Sequence, residues 1–192
     1  MKKQLTVGMI ALLAMVFLAA CNNDNDASPG NDEPNGNEEM NHEEMDHEGM
    51  DHSSDGEIPE GLEDADEPTY AVGSTATIKT GHMEGMEGAE AKIVGAYNTT
   101  AYAVNYTPTS GGEPVKNHKW IIHEELEEPG NAPLQEGDTT VTTADHMEGM
   151  KGAEVEIVSS EDTTVYMIDY TPTTGTEKVT NHKWVTEAEL ER

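Results

Sequence analysis

The segment Ala101-Tyr102-Ala103-Val104-Asn105-Tyr106-Thr107 and its echo Val165-Tyr166-Met167-Ile168-Asp169-Tyr170-Thr171 decide the fold class of this chain. In the first, Tyr102, Val104 and Tyr106 alternate with Ala101, Ala103 and Asn105; in the second, Tyr166, Ile168 and Tyr170 alternate with Val165, Met167 and Asp169. Period two over aromatic and β-branched residues describes a half-buried strand. Upstream, Ala89, Ala91 and Ile93 alternate with Glu90 and Lys92, and Asn98-Thr99-Thr100 between the two runs suits a hairpin turn. A strand near 75–80 precedes them, and 118–122 makes a fourth before a short acidic helix or tail at 124–128. No long helical pattern competes. Four or five short strands in about 55 residues predict an all-β unit, a small SH3-like barrel in which closure removes exposed edges.

The unit occurs twice. Residues 73–126 align without gaps on 137–190 at an offset of 64, with about half the positions identical. His82-Met83-Glu84-Gly85-Met86 returns as His146-Met147-Glu148-Gly149-Met150, Tyr106-Thr107-Pro108-Thr109 as Tyr170-Thr171-Pro172-Thr173, and Asn117-His118-Lys119-Trp120 as Asn181-His182-Lys183-Trp184. Residues 127–136, with Pro129, Gly130 and Pro133, read as the linker, and 137–192 as the second repeat. Two copies at this spacing do not make a solenoid. The expectation is two tandem barrel repeats, with two halves of one pseudo-symmetric domain as the other arrangement. The one Phe, Phe17, precedes the repeats, so each core rests on a Trp, a few Tyr and small aliphatics. Units of this size are marginal alone, which favours packing of the repeats on each other or stabilisation by a ligand.

Residues 1–20 read as an export signal. Lys2 and Lys3 give a positive start, residues 5–18 an apolar run, and Leu18-Ala19-Ala20-Cys21 a small-residue cleavage site ending in cysteine. This resembles the bacterial lipobox, in which the cysteine is acylated, so Cys21 is the expected lipidation site. The apolar run is short for a membrane span, and acyl chains would hold the protein at the outer face of a membrane. Cys21 is the only cysteine, which excludes an intramolecular disulfide and any Cys-based zinc or iron–sulfur site.

The formal charge is -29, from 39 acidic and 10 basic residues. Such a chain lacks the clustered Lys and Arg that hold nucleic acid. The acidity concentrates between 22 and 72, where 18 Asp and Glu stand with no Lys or Arg. With few branched apolar residues to bury, residues 21–72 read as a disordered tether whose charges repel and extend it.

Within the tether, Met40, Met45 and Met50 recur at steps of five, as do His42, His47 and His52. A solvated tether has no core for methionine to fill, so packing does not explain them. A thioether is a soft ligand that selects Cu(I), imidazole suits copper of either valence, and Glu43, Asp46 and Asp51 add hard donors. Copper, with Cu(I) favoured over Cu(II), or silver ranks first. Zinc or nickel on His and carboxylate ranks second, and a tract with no ligand third. In the repeats, His82, Met83 and Met86 form a compact donor set in a Gly-punctuated loop, and His146, Met147 and Met150 repeat it. The alternative is that Met83 or Met86 plugs one end of a barrel while His82 bonds the backbone. His118 and His182, each two residues from a Trp on one strand face, read as structural. His123 has Glu187 as its counterpart and falls outside any shared site.

No enzyme is expected: the mature chain has no Gly-x-Ser-x-Gly elbow, phosphate loop or His-Glu-x-x-His helix. The lipobox, the acidic Met/His tether and the doubled His-Met-x-Gly-Met to Asn-His-Lys-Trp unit resemble the YdhK family of bacterial surface lipoproteins. The organisation is also similar to that of the copper-binding lipoprotein CopL, which is associated with copper tolerance. The resemblance implies an extracytoplasmic, lipid-anchored copper-binding protein whose partners are the membrane, metal ions and a copper exporter or envelope protein. The competing expectation is a cell-envelope interaction module whose paired β domains bind a protein or wall polymer, with the tether as spacer.

Overall fold

The computed structural model describes residues 52–192. Its elements run β1 (Glu63–Asp64), β2 (Thr75–Ile78), β3 (Glu90–Tyr106), β4 (Val115–Ile122), a 3-10 turn at His123–Glu125, β5 (Thr139–Val141), β6 (Glu154–Tyr170), β7 (Val179–Thr186), a second 3-10 turn at Glu187–Glu189 and β8 (Leu190–Glu191). The all-β expectation holds. The strands form one eight-stranded antiparallel sheet that is not closed into a barrel, so the two repeats share a sheet instead of folding as separate barrels.

The reason lies at Asn98-Thr99-Thr100, where the sequence suggests a turn and the chain makes none. β3 continues for 17 residues and pairs along its length with the equally long β6. Asn98 stands opposite Thr164, Thr99 opposite Thr163 and Thr100 opposite Asp162. Thr164 Oγ1 donates to Asn98 Oδ1 at 3.0 Å, and Thr100 Oγ1 donates to Asp162 Oδ1. Side chains that favour turns when solvated are here occupied by cross-strand bonds. On its other edge β3 carries β2 at 90–92, β1 at 97–98 and β4 at 101–106; β6 carries β5 at 154–156 and β7 at 165–170.

Antiparallel pairing of two long strands sets the first half of one repeat beside the second half of the other, and the cores follow. One core joins Ile78, Met86 and Ile93 to Tyr166, Ile168 and Val185; its counterpart joins Tyr102, Val104 and Ile121 to Met150, Val155 and Ile157. The period-two reading is met on both faces of β3: Tyr102, Val104 and Tyr106 enter the second core, while Ala101 and Ala103 enter a third cluster under Trp120 and Trp184. The strand is therefore buried on both sides, because the two indoles roof the face expected to meet water.

The tether boundary expected at 72 falls later than the start of the fold. Tyr70 is buried, donates from its hydroxyl to the Leu190 carbonyl at 2.9 Å and packs edge-on against Tyr166. Residues 53–54 bond the backbone of β7. One tyrosine and a few serine and main-chain bonds hold this segment, and composition does not register such contacts. The signal at 1–20, Cys21, and Met40, His42, Met45, His47 and Met50 lie outside the described residues.

Candidate functional site

Two features of each repeat bring its histidines to the pseudo-two-fold centre. In β4 and β7 the pairing shifts register beside His118 and His182. Asn117 and Asn181 there adopt the left-handed region, both at φ 51°. Their amides are held at 2.9 Å by Asn105 Oδ1 and Asp169 Oδ1 respectively. The shift breaks simple alternation, so each His and its Trp do not share a face: Trp120 and Trp184 go to the central cluster, while His118 packs edge-on against Tyr106 and His182 against Tyr170.

The second feature is the His-Met-Glu-Gly-Met turn, which reaches across to the other repeat. Gly85 (φ 73°) and Gly149 (φ 74°) turn the chain, and their carbonyls accept the amides of Thr173 and Thr109 at 2.8 Å. A side chain at either glycine would collide with the opposing Pro172 or Pro108. The close crossing therefore requires Gly.

Each turn presents its His to a buried carboxylate of the other repeat. His146 Nε2 lies 2.8 Å from Glu125 Oε1, and His82 Nδ1 lies 3.3 Å from Glu189 Oε1. The same carboxylates accept the opposing indoles: Trp184 Nε1 donates to Glu125 Oε2 at 3.1 Å and Trp120 Nε1 to Glu189 Oε2 at 2.8 Å. The amides of Ile122 and Thr186 complete the two sets. Burial alone pushes both carboxyls upward, but the histidines, the indoles and these amides outweigh it and hold Glu125 and Glu189 below the ordinary carboxylate range. Both are thus ionised acceptors at neutral pH.

An ionised carboxylate accepts only, so His146 carries its proton on Nε2 and His82 on Nδ1. His146 Nδ1 is buried without a hydrogen-bond partner. His82 Nε2 faces His182 Nε2 at 3.4 Å, with the rings stacked. His146 lies against His118 with centroids 6.4 Å apart. Burial first, and then the neighbouring His82, His146 and His52, hold His182 well below its usual value. A neutral His182 has one N–H, yet it faces both His82 Nε2 and a hydrogen bond to the backbone of His52.

The cavity beside these rings is about 20 Å³ and is lined by His52, Met83, His118, His146, Met147 and His182, with Lys119, Lys183 and Asp145 also in its wall. That is room for one water-sized particle, far below the hundreds of cubic ångströms of an organic ligand site. The larger cleft, about 520 Å³ around Thr99, Thr100, His123 and Asp162, is a wide surface depression that none of the central histidines lines. His123 is confined to it and bonds Tyr102 at 3.0 Å, the role Glu187 plays toward Tyr166.

The structure thus gathers His82, Met83, His146 and Met147 with His52 at one centre, and adds His118 and His182. Met86 and Met150 are fully buried in the two cores, away from this cavity. Among the described residues no group of three or more His, Cys, Asp or Glu side chains is placed to hold a metal ion. Sequence reasoning missed Glu125 and Glu189. The repeat alignment could have found them, since Glu125 maps onto Glu189 while its neighbour Glu124 maps onto Ala188.

Residues 72–123 and 136–187 each match the family described as "Protein of unknown function (DUF1541)". The chain is 53% identical over 182 residues to "Uncharacterized protein YdhK" of Bacillus subtilis, covering 94% of this chain and 86% of that protein. It resembles a crystal structure of YdhK from the same organism with a TM-score of 0.72 at 59% identity, covering 76% of this chain and 99% of that one. A solution NMR structure of the YdhK C-terminal domain gives a TM-score of 0.60 at 60% identity, over 63% of this chain and 92% of that one. With both repeats matched and a relative this similar over most of its length, the chain belongs to the DUF1541 family, that of Bacillus subtilis YdhK.

Proposed function

We propose that this protein is an extracytoplasmic lipoprotein, anchored through Cys21, that binds copper as Cu(I) at the His/Met centre between its repeats and so contributes to copper tolerance. The observation that carries the reading is His146: its Nε2 faces Glu125, its Nδ1 is buried without a hydrogen-bond partner, and the residue lines a cavity sized for a single ion. This is the carboxylate–histidine pairing that orients metal-ligating imidazoles. The His82–His182 pair fits as well, because two nitrogens at about 2.05 Å from a tetrahedral ion lie about 3.3 Å apart, against the observed 3.4 Å. Met83 and Met147 at the same centre favour a soft ion over zinc. Met40, His42, Met45, His47, Met50 and His52 extend the donor supply along the tether, and the protein does no chemistry on the metal.

Competition titration of the mature chain with Cu(I) against a chromophoric chelator tests this. It is run beside one variant with Met40, His42, Met45, His47 and Met50 replaced by Ser and another with His82, Met83, His146 and Met147 replaced by Ala. The expected result is competition in the parent that weakens in the second variant. No competition in the parent overturns the copper reading, and loss confined to the tether variant moves the site out of the repeats.

A further inference from the structure

The two repeats are treated differently by the residues that precede them. Residues 53–57 lie on the Asn181 turn of β7 through a set of specific bonds. Thr180 donates from its amide to Ser53 Oγ at 3.0 Å and accepts the Ser54 amide at 3.0 Å. Ser54 Oγ donates to the Asn181 carbonyl at 2.6 Å, and Asn181 Nδ2 donates to the Ser54 carbonyl at 3.2 Å. Lys183 Nζ caps the Glu57 carbonyl. The segment is shaped for this by its own turn: Gly56 donates to Ser54 Oγ and Glu57 to Asp55 Oδ1. Gly56 sits at φ 78° and so close to Asn181 that a Cβ would stand 3.1 Å from its side-chain amide. The seat therefore reads Ser-Ser-x-Gly.

The same seat exists on β4. Asn117 has the same left-handed φ and the same amide bond to the residue twelve positions earlier, Asn105 in place of Asp169. Lys119 replaces Lys183, and Lys116 adds a cation where Thr180 stands. Lys116 and Asn117 remain exposed, whereas Thr180 and Asn181 are half-buried under residues 53–57.

We propose that the Asn117 turn is a docking site for an extended acidic Ser-Ser-x-Gly segment of another protein, bound as residues 53–57 bind the Asn181 turn. Main-chain and serine bonds supply the fit, Gly lets the segment approach the asparagine, and Lys116 and Lys119 favour acidic flanks. This inference is independent of copper.

The test titrates a synthetic peptide of residues 52–60 into the isotope-labelled mature chain and follows amide shifts. A free peptide making only a handful of hydrogen bonds, each of small net worth in water, binds in about the millimolar range. Saturable shifts at 116–119 are expected, abolished by Asn117→Ala in the protein and by replacing both serines of the peptide with Ala. Preserved shift dispersion in the Asn117→Ala variant shows that it folds. Shifts confined to 180–183, no saturable shift, or shifts insensitive to both changes overturn the proposal. So does a concentration-dependent dimer of the parent that Asn117→Ala abolishes, which would make the occupant a second copy.

Discussion

Replacing Glu125 separates its structural role from its control of His146. The carboxylate is 5% exposed, and its two oxygens divide the work: Oε2 accepts the Trp184 indole and the Ile122 amide, and Oε1 faces His146. Glu125→Ala leaves the indole and the amide without an acceptor. At about 1–3 kcal/mol for each orphaned buried donor, the loss is about 2–6 kcal/mol, a large part of the ~5–15 kcal/mol typical of a domain. With a urea slope near 2 kcal/mol/M, the unfolding midpoint falls by about 1–3 M. Glu125→Gln keeps an oxygen for both donors and sets an NH₂ toward His146. Only an ionic bond becomes a neutral one, costing about 1–2 kcal/mol. That NH₂ needs an acceptor, so His146 must give up its Nε2 proton and carry it on Nδ1. Long-range proton–nitrogen spectra of the histidines read this directly: Nε2–H in the parent, Nδ1–H in Glu125→Gln. Copper affinity at that ring should fall about 10–100-fold with it. An Nδ1–H tautomer in the parent, or a Glu125→Ala midpoint within experimental error of the parent's, refutes the reasoning.

Acid should destabilise the apo protein in two stages. His182 is held well below the ordinary imidazole value of about 6.5, so the unfolded chain binds its proton first and stability declines as pH falls below about 6.5. Glu125 and Glu189 are held below 4.5, so their contribution is present above that value and is lost as pH drops further. Urea midpoints measured across pH should lose the first stage, and keep the second, in His182→Gln. Met86→Ala or Met150→Ala should cost about 2–5 kcal/mol as core truncations and leave copper affinity unchanged in chain that remains folded. Met83→Ala or Met147→Ala should do the reverse, and equal effects from all four would remove the distinction between core and donor methionines. Gly149→Ala places a Cβ 2.5 Å from Ser110 Oγ and 2.9 Å from Pro108 at a positive φ. It should lower stability by about 1–3 kcal/mol, seen as a melting midpoint several degrees lower, and an unchanged midpoint would mean that the crossing is loose.

Strand identity was legible because alternation at 101–107 and 165–171 survives whatever those strands pair with. The partner was not. Asn98-Thr99-Thr100 has turn chemistry when solvated and strand chemistry opposite Asp162-Thr163-Thr164, and only the tertiary pairing chooses. His82, Met83, His146 and Met147 could be named from their repetition. A regular strand would put His118 and His182 each beside its Trp as structural residues, and the register shift next to the left-handed asparagine undoes that geometry. The repeats also hid which methionines serve packing. Met83 and Met86 differ by three positions and share a motif, yet one lines the central cavity and the other fills a core.

The paired long strands carry a consequence for ancestry. Since each core takes one half from each repeat, a lone repeat has no core of its own, but two identical copies related by a true two-fold axis could build both. The duplicated chain has the architecture of a homodimer whose subunits became covalently joined. Joining them freed the halves to diverge, so that His123 could become Glu187, Lys116 could become Thr180, and one asparagine turn could be covered while its twin stayed open.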